Sequence, residues 1–505
     1  MKKIDVHLNK IIELNKELPL TLYGKSQLFK EIYKNCDDVV FHSINLENNS
    51  FLLLFFSDLT DVTKIDESII TPLIKTQLDN IKLDVILSNI INISKVKILQ
   101  STLEVIDELA DGNAILFNNI EDKAISFRIS KYDKRSIEEP QAESVVVGPR
   151  EGFIESIGTN LSLVRRKIKT PSLKMISYTT GTYSQTSLYI SYIEGIADPK
   201  IVEEVKERLK KIDVDAILSL GPIEEAIEDT WYSPFPQVQS TERPDVVAAG
   251  LLEGRVAIFI DGTPFVLIVP VTLFTLLQSP EDYTERFING TLVRWIRYTF
   301  VLISLLAPSA YVAILTFHQE MIPTTLLLRI AQSREEIPFP AFLEALFMQI
   351  IFEVLREAGI RLPKQMGSTV SIVGTLVIGQ AAIQAGLVSA PMVMIVAITG
   401  ISSFLIPQYA VSVAFRWIPF PIMFLSAALG LVGMMLGFIL LVSHLCILRS
   451  FGVPYLAPLA PNDSSLLRDV LIRVPLRFMK KRPRFYTSIN QTRRKEGEIN
   501  ENPKK

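Results

Sequence analysis

PMVMIVAITGISSFLIPQYAVSVAFRWIPFPIMFLSAALGLVGMMLGFILLVSHLC, residues 391–446, contains a single formal charge, Arg416. A lone charge in hydrocarbon costs roughly 2.5–3.5 kcal/mol on insertion scales, so a stretch this depleted marks a change of solvent from water to lipid. The depletion reaches back to Gly367 and on to Leu448, whereas before Val293 charges recur every few positions. Apolar residues make up 48% of the 505-residue chain and the net charge is −2. Segregation, not the total, sets the class: an α+β protein with an α-helical membrane part. A cytoplasmic α/β head of two subdomains is predicted, followed by a polytopic transmembrane helical bundle.

Within the depleted region the sequence predicts helices from about Thr369 to Leu387, Pro391 to Ile406 and Phe420 to Cys446. Upstream, Tyr298 to Phe317 is uncharged and long enough to span a core of about 30 Å at ~1.5 Å per residue. Arg294, Trp295 and Arg297 before it suit a cytoplasmic interface anchor, and Pro308 is a place for a bend. His318 to Pro340 reads as a loop around a short helix or re-entrant piece. Ala341 to Ala358 has helical period but carries Gln349, Glu353, Arg356 and Glu357 on one stripe. That stripe is either an interfacial face in water or part of an aqueous pathway. In the Thr369 helix, rich in small residues, Gln380 and Gln384 sit one turn apart on the face of Val373 and Val377. It reads as a packing helix or as a cavity or pore lining.

After Arg449 the tail carries Arg468, Arg473, Arg477, Lys480, Lys481, Arg482 and Arg484, which puts this end in the cytoplasm. The N-terminus, Met-Lys-Lys-Ile-Asp-Val-His-Leu, has no apolar h-region, so the head is expected there too. Both ends inside require an even number of crossings; four spans satisfy this if the Ala341 helix lies flat or re-enters. The expected divisions are a ragged stretch over 1–40, subdomains over 41–169 and 170–290, the helical domain over 291–448 and a basic tail over 449–505, disordered beyond about Lys481.

In the head, Phe51–Phe56 is a strand-type run followed by helical period from Ile69 to Ile90. Ala114–Phe117 and Ala124–Ile129 form a predicted hairpin. Tyr189–Ile193 reads as a strand, Pro199–Lys211 as an amphipathic helix capped by Asp198, and Val214–Leu218 as another strand. Val256–Ile260 and Phe265–Val269 flank Asp261-Gly262-Thr263 in a hairpin predicted close to the membrane.

Chemistry is sparse. There is no phosphate loop and no dinucleotide fingerprint, and the four histidines, His7, His42, His318 and His444, lack ligand spacing. No catalytic residue, metal or cofactor is predicted, and no nucleic acid, since the head has no basic recognition face. Asp58 reads as a turn or cap residue, and His318 with Glu320 as boundary polar residues. Cys36 and Cys446 are too far apart in character to suggest a disulfide.

Several strings go further. Gly148-Pro149-Arg150-Glu151-Gly152-Phe153 leads to Asn160-Leu161-Ser162-Leu163-Val164-Arg165-Arg166. Phe235-Pro236-Gln237 precedes Thr241-Glu242-Arg243-Pro244-Asp245, Leu252-Glu253-Gly254-Arg255-Val256-Ala257 and the Asp261-Gly262-Thr263-Pro264 turn. Ser279-Pro280-Glu281-Asp282-Tyr283, Glu353–Pro363 and the Gly374–Pro407 region complete the set. Together they resemble the A subunit of GerA-type spore germinant receptors, from about Phe51 to the end of the last helix. The resemblance implies a multi-pass subunit in the inner membrane of the bacterial spore, with membrane lipids around it and no enzymatic activity. It also implies a transporter-like B subunit that binds the nutrient, a lipoprotein C subunit, and a homo-oligomer forming a nutrient-gated ion channel. The alternative is a non-conducting scaffold that anchors the nutrient-binding subunit and recruits cytoplasmic partners. Val373, Val377, Gln380 and Gln384 are the candidate pore face; Gln349, Glu353, Arg356 and Glu357 are the candidate polar vestibule or interfacial stripe. Arg150, Arg165, Arg166 and Arg243 are expected to anchor loops and ion pairs rather than bind a ligand.

Overall fold

The computed structural model describes residues 11–46, 49–75, 83–86, 91, 93, 95–131, 140, 143, 145, 147–361, 379–475, 478–487 and 489–493. The Phe51–Phe56 run is a strand of a five-stranded sheet buried on both faces, which is why it does not alternate. Its strands are β1 (Val39–Asn45), β2 (Ser50–Phe56), β3 (Val96–Leu99), β4 (Ala114–Asn118) and β5 (Ala124–Phe127), in the order β1-β2-β4-β5-β3. Leu52, Leu54, Ile115 and Phe117 meet the Leu22–Ile32 and Thr102–Ala110 helices on one side. Leu53, Phe55, Leu116 and Phe127 cover Ile65, Ile69 and Leu73 on the other. Of the helical period expected from Ile69 to Ile90, the described part forms short helices ending at Lys75 and again over Leu83–Val85.

The second sheet contains β6 (Leu173–Thr180), β7 (Thr186–Ile193), β8 (Gln239–Thr241), β9 (Val256–Ile260) and β10 (Val266–Val269), in the order β6-β7-β9-β10-β8. One face packs on Pro199–Lys210, capped by Asp198 as expected, and the other on Ile157–Lys167 and Pro244–Glu253. Every pairing in both sheets is antiparallel, so the head is layered α and β without parallel crossovers.

Val214–Leu218 departs from expectation. Its backbone bonds the Gly181–Thr186 turn, with Val214 O accepting from Thr182 N and Ile217 O from Thr186 Oγ1, and joins no ladder. The Asp261 hairpin forms as expected, Gly262 taking φ 82° in its turn. That turn is bonded to Glu155 and Ile157, while the opposite end of β10 leads into Leu273–Leu276, packed against the apolar helices.

In the C-terminal half, Phe287–Phe317 and Tyr409–Leu429 are long and apolar enough to cross a membrane; Ala390–Phe404 and Leu431–Ile447 are apolar but shorter. Contacts set their directions. Tyr311, near the end of the first helix, bonds Ser389, the N-cap of Ala390–Phe404, so these two run antiparallel. Glu344 bonds the same Ser389 and Arg356 bonds Ser403, so Ala341–Arg361 runs parallel to Ala390–Phe404. It lies along the other helices, with Ala345 and Met348 packed against Val312, Met392 and Met423.

The single helix expected from Phe420 to Cys446 is two. Gly430, at φ 62° and ψ −141°, adopts backbone angles open essentially to glycine alone, and the chain doubles back there. Gly433 and Gly437 then press against Leu425 and Ile422; a Cβ on Gly433 would lie 2.0 Å from the Leu425 carbonyl oxygen.

Beyond Ile447 the chain returns to the head. Arg449–Ser450 pairs with Val453–Pro454, and Phe451, Val453 and Tyr486 enter the core under the second sheet. Two basic residues here are engaged: Arg482 Nε donates to Leu252 O at 2.9 Å and Arg493 pairs with Glu253 at 2.8 Å.

Candidate functional site

The head and the first long helix meet at a buried charge cluster. The Glu281–Thr284 helix presses against Gly290, where a Cβ would lie 2.7 Å from Asp282 O, so only glycine allows the approach. Asp282 accepts from Arg294 Nε at 3.0 Å and from Arg297 Nη1 and Nη2 at 2.9 and 3.0 Å. The two arginines, expected as interface anchors, are buried instead; Trp295 beside them is exposed. Tail residues close the cluster. Asp469 accepts from Tyr283 OH at 2.9 Å, its backbone oxygen from Arg294 and from Gln278 Nε2, and Val470 O from Tyr298 OH. Beside this junction a cleft of about 1010 Å³ separates head from helices, bridged by Gln408 Nε2 donating to Glu143 Oε1 at 2.9 Å.

Burial pushes the Asp469 carboxyl up to about 6, with Glu253 adding to the shift and Arg294, Arg493 and the Tyr283 hydroxyl opposing it. A carboxyl raised in the docked state and ordinary when released favours docking at low pH. That advantage is complete below the ordinary value near 3.8 and is lost as pH rises through about 6. Tryptic cleavage in the 473–484 segment is therefore expected to accelerate between about pH 5 and about pH 7 once trypsin's own pH dependence is normalised. Asp469→Asn, which mimics the protonated form, should flatten the profile.

The predicted stripe on Ala341–Arg361 is divided by its surroundings. Gln349 is buried and Glu357 is exposed, paired with Arg361 at 2.8 Å. Glu353 faces inward to Arg416 at 3.3 Å and Arg356 at 3.7 Å, so the lone charge of the apolar stretch has its counter-ion. Arg356 also donates to Ser403 Oγ at 2.7 Å and lies over Phe352 and Phe404. Gly400 admits the Phe352 ring, which a Cβ would meet at 2.1 Å. Glu344, not singled out in the sequence, is buried, with Ser389 N donating to it at 2.6 Å. Of the predicted pore face, Val373 and Val377 lie outside the described residues. Gln380 and Gln384 are exposed, and their side-chain amides make no hydrogen bond among the described residues.

In the head, Arg165 and Arg243 are buried and bonded internally, Arg165 to Asp38 and Arg243 to Asp245 and Pro149 O. Arg166 donates to Lys131 O. Asp58 lies against Gly158 in the first turn of Ile157–Lys167; burial pushes its carboxyl up, against the Ser57 hydroxyl that donates to it. His318 and Glu320 form no ion pair among the described residues. Sequence reasoning missed Asp38, Glu344 and Asp469 altogether. Asp282 was visible only as part of the Ser279–Tyr283 string.

Comparison with known proteins adds the family. The model for the Bacillus/Clostridium GerA spore germination protein matches residues 27–485. "Uncharacterized membrane protein YfkQ" of Bacillus subtilis is 46% identical over 496 residues, covering 97% of each chain. "Spore germination protein KA" of the same organism is 46% identical over 90% of this chain and 85% of its own. "Spore germination protein A1", also from Bacillus subtilis, is 40% identical over 91% and 94%. A crystal structure of the N-terminal domain of the A subunit of the Bacillus megaterium spore germinant receptor GerK3 is 34% identical. It covers 51% of this chain and 97% of that one, with a TM-score of 0.41.

Proposed function

This chain belongs to the GerA family of spore germination proteins, and we propose that it serves as the A subunit of a germinant receptor. In this reading it crosses the spore inner membrane several times with both termini cytoplasmic. It acts with a transporter-like B subunit and a lipoprotein C subunit, and assembles with copies of itself around a nutrient-gated ion channel. The observation that carries the channel is the outer face of Gly379–Gln384. Gln380 and Gln384 are exposed among apolar helices without a partner among the described residues. Amides against lipid tails are costly, so neighbouring copies around water supply what the single chain does not. Val373 and Val377, on the same predicted stripe, supply an apolar constriction of the kind that gates by dewetting. Glu353 is the weaker lining residue, because its carboxylate is already engaged by Arg416 and Arg356.

Reconstitution of the purified chain in cation-loaded vesicles tests this. Val373→Ala and Val377→Ala are expected to raise cation leak several-fold and to cause premature germination in spores. A parent chain that passes no current, with variants equally tight, supports instead the non-conducting scaffold that anchors the nutrient-binding subunit.

A further inference from the structure

The loop following the Gly221–Ile227 helix leaves two large aromatic side chains in the open. Trp231 is 77% exposed and Tyr232 70%, their rings edge to face at 5.9 Å. The loop that presents them is firmly held. Thr230 N donates to Gln237 Oε1 and Gln237 Nε2 donates back to Thr230 O, closing it on itself. Asp229 Oδ2 accepts from Phe451 N at 2.7 Å, and Ser233 Oγ bonds His444 Nε2 at 2.9 Å. Phe235 packs on Phe415 at 5.5 Å between ring centroids. These contacts fix Trp231 and Tyr232 near the last turn of Leu431–Ile447, one turn beyond His444, where Ile447 is 78% exposed.

Trp and Tyr combine an apolar body with a polar tip, which suits them to the layer where hydrocarbon gives way to headgroups and water. We propose that the 230–233 loop is a lipid contact of the head, with Trp231 and Tyr232 seated in the headgroup layer beside the end of Leu431–Ile447. The inference rests on the reading of the apolar helices as membrane-crossing. A bilayer is favoured over a protein partner because the loop continues the exposed apolar flank of that helix, Leu440 and Ile447. Through Asp229 and Ser233 the lipid seat is joined both to the returning tail and to the helix end, so the head rests on the membrane by its own surface.

The three tryptophans, Trp231, Trp295 and Trp417, provide the test. Two single-tryptophan versions of the full chain are placed in vesicles whose lipids carry bromine near the headgroup or deep in the acyl chain. W295F/W417F reports Trp231; W231F/W295F reports Trp417, which lies 60% exposed within Tyr409–Leu429. Trp417, two residues beyond the Phe415 that packs on Phe235, is expected to be quenched by lipid bromine. Trp231 should be quenched most by shallow bromine, with blue-shifted emission and reduced access to acrylamide. Quenched Trp417 with Trp231 emitting as in water overturns the loop contact while the crossing stands. If neither is quenched, the crossing fails and the inference with it. If Trp231 becomes shielded only when partner subunits are added, the loop docks protein and the lipid contact is wrong.

Discussion

Replacing Asp282 with alanine is expected to cost about 3–5 kcal/mol and to uncouple the head from the first long helix. The residue is 2% exposed and neutralises two guanidinium groups, Arg294 and Arg297, that are themselves buried. With the carboxylate gone, Arg294 retains Asp469, but among the described residues Arg297 keeps only the Leu277 carbonyl. Arginine cannot shed its charge, so the uncompensated desolvation appears in full. Asp282→Asn keeps an acceptor of the same shape and should lose less. A triple replacement, Asp282→Leu with Arg294→Met and Arg297→Met, separates stability from coupling, because well-packed apolar groups commonly replace a buried ion network at no net loss. Its melting midpoint should recover toward that of the parent. If nutrient-triggered germination also recovers at equal membrane abundance, the junction only holds the fold together and carries no signal.

What could be read before the structure followed from local pattern. Phe51–Phe56, the Ala114–Ala124 hairpin, the Asp198 cap and the Asp261-Gly262 turn each state their conformation within a few residues. The misreadings share a cause: partners distant in sequence. Val214–Leu218 has strand composition, but side-chain and backbone groups of the 181–186 turn took its hydrogen bonds. Gly430 lies inside an uncharged, mostly apolar run, where no charge, proline or turn cluster marks a reversal, and only Gly433 and Gly437 at four-residue spacing hinted at close packing. The charges of Arg294 and Arg297 look interfacial until Asp282 is placed beside them. The tail reads as basic and solvated because Phe451, Val453 and Tyr486 are scattered singly among its polar residues, yet each finds the second sheet. For the site, Gln380 and Gln384 were legible as amides in an apolar helix; the inward turn of Glu353 was not, since its counter-ion lies on another helix, at Arg416.

The second large effect is expected inside the head, where Asp38 of the first unit and Arg165 of the second form a bidentate pair. Arg165 Nε and Nη2 donate to the two carboxylate oxygens at 2.7 and 2.8 Å, both side chains are 4% exposed, and the guanidinium lies over Phe56. Removing either partner should cost about 3–5 kcal/mol, and the two losses should differ in kind. Asp38→Ala strands an arginine that stays charged at any working pH. Arg165→Ala strands the Asp38 carboxylate and also removes the guanidinium that packs over Phe56. Arg165→Lys should rescue little, because an ammonium cannot supply two parallel N–H donors to one carboxylate. Denaturant unfolding of the full chain in detergent measures these losses. The units also share backbone bonds, Asp37 N to Met175 O at 2.9 Å and Met175 N to Asn35 O at 3.1 Å. If both alanine variants lose less than about 1 kcal/mol, the ordinary net worth of one hydrogen bond, those backbone contacts and not the ion pair hold the two sheets together.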